Sequence, residues 1–223
     1  MIITGFPVYF VFFISIFVFS LYIYFFVIQF KIQFLKKRKT LLNQFIELAD
    51  LKGDENVLDI GTGSGFLAIG LTKNLKNGII IGLDKYSIKS DNLKTQLATT
   101  IKTNFIGNTL KNAKKNARIE NVEKKCKFIE SDITNPLKFK DEYFDIIVSS
   151  QLLYCIGKNK RPAVFHEIDR VLKKNGKIIF FESKSFLNWN IFEAKNFFEN
   201  KGYKIKLIQS NEFKTCCILF GKK

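Results

Sequence analysis

The place in this chain best suited to hold a small molecule is Val57-Leu58-Asp59-Ile60-Gly61-Thr62-Gly63-Ser64-Gly65. There an apolar run breaks into closely spaced glycines and passes into the helix-like Phe66-Leu67-Ala68-Ile69-Gly70-Leu71. Glycines let the backbone turn sharply and let a ligand lie directly against it. In a dinucleotide turn of the form GxGxxG the third glycine would fall at Phe66. Here it falls at Gly65, with Asp59 two positions ahead of Gly61, and that spacing argues against a nicotinamide dinucleotide. Two further acids close the next apolar runs, Asp84 after residues 79–83 and Asp132 after residues 128–131. An ionised carboxylate is purely an acceptor. The plainest alternative for each acid is a loop residue capping the following helix.

These residues need a scaffold, and the apolar pattern supplies one. Short apolar runs at 57–60, 79–83, 127–131, 146–149 and 178–181 alternate with helical stretches, which implies buried parallel strands with helices on both faces. The last two runs, 203–209 and 214–220, are separated by only a few residues around Asn211 and favour an antiparallel hairpin. The expected fold is α/β, a doubly wound, mostly parallel seven-stranded sheet with a C-terminal antiparallel hairpin, preceded by one transmembrane helix. Upstream, Leu41, Leu42, Phe45, Ile46, Leu48 and Ala49 recur at helical spacing, and Gly53 stops that helix.

The first 30 residues of the 223 carry no charged side chain, and residues 6–28 are long enough to cross a bilayer as a helix. Lys31, Lys36, Lys37, Arg38 and Lys39 come directly after. A cleaved signal would have its basic residues first and a shorter apolar centre, so a retained single-pass anchor is expected, with everything after Lys31 cytoplasmic. The expected organisation is an anchor at 1–30, a basic juxtamembrane segment and leading helix at 31–52, and a single domain at 53–223. The formal net charge of +16 is spread along the chain, in keeping with general lysine richness rather than a nucleic-acid surface. Cys126, Cys155, Cys216 and Cys217 have no metal-ligand spacing, so no metal is expected and the thiols read as reduced.

The Asp59–Gly65 turn, with Asp84 and Asp132 behind it, resembles motif I and the following strand ends of class I (Rossmann-like) S-adenosylmethionine (SAM)-dependent methyltransferases. The resemblance runs from about residue 52 to 223. It implies SAM as cofactor, with Asp84 on the ribose hydroxyls, Asp132 on the adenine amino group and Asp59 near the methionine end. Gly61, Thr62, Gly63, Gly65, Lys85, Ile133 and Ser149 would complete the cofactor site. The chemistry is consistent, since a ribose diol and an exocyclic amine both present donors to a carboxylate. Residues 144–154, Phe-Asp-Ile-Ile-Val-Ser-Ser-Gln-Leu-Leu-Tyr, resemble the family's fourth strand and put Ser150, Gln151 and Tyr154 on the substrate side. The (Asp/Asn)-Pro-Pro-aromatic signature of enzymes that methylate base amines is missing there, which disfavours that activity.

His166, the only histidine, falls on a helix that packs away from the pocket in this family, so a surface position is expected rather than a general base. Cys155 has no converging thiols to act with. The Lys174-Asn175-Gly176 turn stands where Pro-Gly-Gly is common. An insertion at about 86–108 carries Leu93, Leu97, Ile101 and Phe105 at four-residue spacing and ends in Gly107-Asn108-Thr109, ahead of Asn112-Ala113-Lys114. It fits a substrate lid, a structural flap or a segment at the membrane surface. The resulting expectation is a membrane-anchored methyltransferase acting on a small-molecule or lipid-like acceptor. Its rivals are a non-catalytic SAM-binding scaffold and a basic nucleic-acid-binding protein.

Overall fold

The computed structural model describes residues 8–86, 107–186, 188–210 and 212–223, and the chain divides into two compact units, Met1–Leu41 and Leu42–Lys223. Residues Leu93, Leu97, Ile101, Phe105 and Asn211 lie outside the described residues, as do the first residues of the apolar N-terminal run.

Helix α1 spans Val8–Ala49. Neither Gly nor Pro occurs between those bounds, so the backbone has no breaker and the apolar, basic and leading segments form one helix. From Phe12 to Leu35 its apolar side chains are exposed on every face, Phe13 at 68% and Tyr22 at 66%. A helix apolar all round is matched to a non-aqueous surrounding. By length and composition α1 can cross a membrane, and a leader sequence in this position passes the same test.

The second unit begins with the last turns of α1, where Phe45 and Ala49 are buried. Gly70 is close-packed here, since a Cβ added to it would come within 2.5 Å of the Leu42 side chain. The elements then run in the order β1 (Asn56–Ile60), α2 (Phe66–Thr72), β2 (Ile79–Asp84), α3 (Leu110–Ile119), β3 (Cys126–Glu130) and β4 (Phe144–Ser150). After two short 3-10 turns come α4 (Arg161–Val171), β5 (Leu172–Ser183), a ribbon of β6 (Ser185–Phe186) and β7 (Trp189–Asn190), α5 (Ile191–Asn200), β8 (Lys204–Gln209) and β9 (Cys216–Lys222). One seven-stranded sheet has the order β3-β2-β1-β4-β5-β9-β8. Its first five strands pair in parallel and β9 pairs antiparallel with both β5 and β8.

The central strands are apolar almost throughout because helices cover both faces. Val57, Leu58, Ile60, Ile146, Ile147, Ile178, Ile179 and Phe180 are all at most 3% exposed. Thr109 caps α3 by accepting the Asn112 amide, and Asn190 caps α5 by accepting that of Phe192.

Two features depart from the sequence pattern. Helix α4 stops at Val171, and Leu172 is already extended and paired with Phe144. Pairing then resumes at Ile146 opposite Lys177, so the stretch through Lys174-Asn175-Gly176 bulges out of the ladder, with Asn175 at φ 66°. The β6–β7 ribbon is pinned by Arg161, itself only 1% exposed. The guanidinium donates to the Asn188 carbonyl and Oδ1, to both Glu193 oxygens and to the Ile156 carbonyl at 2.9–3.1 Å, and lies over the Trp189 ring.

Candidate functional site

Strand order reverses on either side of β1, whose neighbours are β2 and β4. Open parallel sheets present their ligand crevice at such a switch point, beyond the C-terminal strand ends. The register brings the sequence-derived residues to that edge. Ile60 pairs with Leu83 on one side and Ser149 on the other, Asp84 pairs with Glu130, and the Ser131 amide donates to the Asp84 carbonyl.

The turn after β1 is built from left-handed glycines, Gly61, Gly63 and Gly65 having φ of 74°, 53° and 87°. The Gly61 and Thr62 amides both donate to the Leu83 carbonyl, which folds the turn over the end of β2. The approach is close: a Cβ at Gly65 would sit 2.7 Å from Phe128 Cζ, and one at Gly82 would sit 2.7 Å from Thr62 Oγ1. Asn116 donates to the Ser64 carbonyl, and the Asn108 side chain lies against Gly63, so α3 and the turn before it brace the glycine segment.

Asp84 accepts the Gly63 amide on Oδ2 at 2.9 Å and the Tyr86 amide on Oδ1 at 3.0 Å, leaving each oxygen a further lone pair. Asp132 accepts from Lys85 Nζ at 2.9 Å and from both the amide and hydroxyl of Thr134. Partial burial works against its charge, but these hydrogen bonds outweigh that and hold its carboxyl down to about 2. Ile133 beside it is buried.

Asp59 stands apart from the other two acids. It is 1% exposed and lies beneath the turn, where Oδ2 accepts the Thr62 hydroxyl at 2.7 Å and the Ala68 amide at 3.1 Å. Burial pushes its carboxyl up to about 7, the Thr62 and Ala68 hydrogen bonds pull it down, and the nearby charge of Asp84 adds to the rise. In this position it secures the turn and the start of α2. Its Oδ1 is buried and unpartnered, as is Ser149 Oγ at the end of β4.

On the other side of the switch point, Ser150 ends β4 and Gln151 turns the chain with φ 59°, its amide donating to the Phe181 carbonyl. Gln151 Nε2 lies 3.6 Å from Cys216 Sγ. Tyr154 packs edge-on against Phe186, and burial pushes its hydroxyl up to about 12. His166 is exposed on α4, edge-on to Phe197 at 4.8 Å, and takes no part in this edge. Cys155 is exposed and the other three cysteines are buried. Among the described residues no His/Cys/Asp/Glu cluster is arranged to hold a metal.

Sequence reasoning missed Tyr86, Leu152 and Glu182. The Tyr86 hydroxyl is buried without a partner, and Leu152 packs on Gly61. Glu182 is fully buried at the tip of β5. The one signal for it was its place directly after the apolar run 178–181, the same place that singled out Asp84 after 79–83.

Residues 87–180 match the model of a family described as a methyltransferase domain. No curated protein matches the sequence. Among solved structures, a SAM-dependent methyltransferase from Aquifex aeolicus superposes with a TM-score of 0.61 at 16% identity, over 81% of this chain and 88% of that one. The YcgJ protein of Bacillus subtilis gives 0.61 at 16%, over 82% and 97%. The [4+2]-cyclase SpnF gives 0.59 at 17%, over 82% and 80%.

Proposed function

We propose, from the premise that this chain is a SAM-dependent methyltransferase of the class I fold, that it works from a membrane and methylates a lipophilic or membrane-associated acceptor. The observation that carries the cofactor part is the cradle itself. Three left-handed glycines follow β1 between Asp84 at the end of β2 and the buried, unpartnered Ser149 hydroxyl near the end of β4, with Asp132 one strand further out. A flat, donor-rich adenosyl group fits such an edge. Asp84 retains lone pairs for two ribose hydroxyls, and Asp132 would take the adenine amine in exchange for Lys85. Gly61, Thr62, Gly63 and Gly65 leave room for the ligand backbone, and Ile133 offers an apolar face to the base.

SAM supplies a methyl group already activated on a sulfonium. The protein's task is then to hold the acceptor atom in line with it and to exclude water. Ser150, Gln151 and Tyr154 are assigned to that side of the site.

Support for the membrane part is the exposed apolar surface of α1 followed by Lys31, Lys36, Lys37, Arg38 and Lys39, a basic cluster that favours the cytoplasmic side for the domain C-terminal to it. Confinement to one surface raises the effective concentration of an acceptor held there. Two measurements test the reading. The detergent-solubilised full chain should bind labelled SAM, and label should pass into extracted lipids in preference to soluble metabolites. No SAM binding would remove the whole reading, and label confined to soluble metabolites would remove the membrane acceptor.

The SpnF likeness favours one second reading, because that fold-mate is named for a cyclisation. The chain would then hold SAM without consuming it. Accumulation of S-adenosylhomocysteine during turnover separates the two.

A further inference from the structure

Neither cofactor binding nor acceptor placement accounts for Glu182. It is 0% exposed, no ion pair reaches it among the described residues, and burial pushes its carboxyl up to about 7 against the downward pull of the Leu153, Leu152 and Tyr154 amides. Burying a carboxylate without a cation is costly unless hydrogen bonds compensate. Its Oε1 accepts two successive amides, those of Leu152 and Leu153, each at 2.9 Å, while Oε2 is buried and unpartnered.

Those amides belong to the loop that leaves β4 through the left-handed Gln151. Such a backbone is strained for a residue with a side chain and persists only where its surroundings fix it. Two clamps do so: the Gln151 amide is held by the Phe181 carbonyl, and the next two amides are held by Glu182. The loop so fixed reaches both halves of the site. The Leu152 side chain packs directly on the glycine turn, 3.0 Å from where a Cβ of Gly61 would lie, and Tyr154 stands on the acceptor side.

We propose that Glu182 is the positioning residue of the methyl-transfer site, gripping the Leu152 and Leu153 amides so that Leu152 is held against the cofactor turn at Gly61. The inference rests on the SAM-dependent reading of the site. It concerns a residue that touches neither the cofactor cradle nor the acceptor and acts through Leu152.

The test is the affinity of the detergent-solubilised full chain for labelled SAM, with emission from the single tryptophan, Trp189, as the check on folding. That indole is buried and donates to the Ser183 carbonyl, next to Glu182, so its spectrum reports this tip of β5. Glu182→Gln keeps an acceptor for both amides and should bind within about threefold of wild type. Glu182→Ala and Leu152→Ala should each bind about tenfold more weakly with the wild-type spectrum. The double variant should be no weaker than the weaker single, since both act through one contact.

Wild-type affinity in a folded Glu182→Ala or in Leu152→Ala, additive losses in the double variant, or a Glu182→Gln as weak as Glu182→Ala would each overturn the proposal. Should Glu182→Ala fail to fold, Leu152→Ala decides alone. A wild-type chain that does not bind SAM overturns the parent reading instead, and that is seen before any variant is compared.

Discussion

Asp84 holds the backbone of Gly63: the carboxylate at the tip of β2 accepts the glycine amide at 2.9 Å across 21 residues of sequence. The side chain proposed to hold the ribose therefore also sets the shape of the turn beside it. A ligand seated on Asp84 meets a turn already folded, and the ordering cost falls on the folding of the domain rather than on binding.

Removing that carboxylate should harm binding in two ways, through the lost acceptor and through the released turn. Asp84→Ala is expected to weaken SAM binding at least about tenfold, since hydrogen bonds to a charged group contribute about 1.5–3 kcal/mol. Asp84→Asn, which can still accept the Gly63 amide, should lose less. Equilibrium dialysis with labelled SAM checks this, and equal losses in the two variants would show that the turn does not depend on Asp84.

Gly65 combines φ 87° with a Cβ position 2.7 Å from Phe128 Cζ, so a side chain there is opposed by backbone and packing together. Gly65→Ala should destabilise the domain by about 1–3 kcal/mol. Adding Phe128→Leu should recover the packing part and leave the backbone part. Chemical denaturation of the three chains measures both, and a Gly65→Ala chain as stable as wild type would contradict the close approach.

Much of this site was legible because its parts are local patterns. The central strands that carry it are nearly unbroken apolar runs, Asp84 comes directly after such a run, and Asp132 comes just past the end of the next strand. What escaped the sequence depends on long-range partners. Glu182 acquires meaning only from two amides about thirty residues away. The capture of Asp59 by the Thr62 hydroxyl and the Ala68 amide beneath the turn is likewise set by folding and not by the local pattern. Lys173 and Lys174 are good helix formers, yet pairing of Leu172 with Phe144 ends α4 at Val171. Tertiary pairing outweighs a propensity difference of a few tenths of a kcal/mol.

Two buried acids should make stability depend on pH in an unusual sense. Asp59 and Glu182 are both raised to about 7, from 3.8 and 4.5. Between those limits the folded chain binds more protons than the unfolded one, so stability is fullest near the lower limit and is lost as pH rises through about 7. Asp132, held to about 2, acts in the opposite sense, but only below about 4. The melting temperature should therefore fall from about pH 5 to about pH 7 and level off above that. Glu182→Gln should flatten that slope, whereas an unchanged slope in the Asp59→Asn, Glu182→Gln double variant would place the titration elsewhere.

Arg161 is the strongest test of the ribbon whose Phe186 packs on Tyr154. Its fork joins Ile156, Asn188 and Glu193 while its plane lies over Trp189 at 5.0 Å, so three segments converge on one buried cation. Arg161→Ala leaves Glu193 without its partner and two carbonyls without a donor, which should cost about 3–5 kcal/mol. Arg161→Lys retains the charge but has neither the planar fork nor the stacking face, so it should recover only part of the loss. Because Trp189 is the only tryptophan, a red shift of its emission should accompany the drop in melting temperature in both variants. A full rescue by lysine would mean that charge alone, without the fork, holds the ribbon in place.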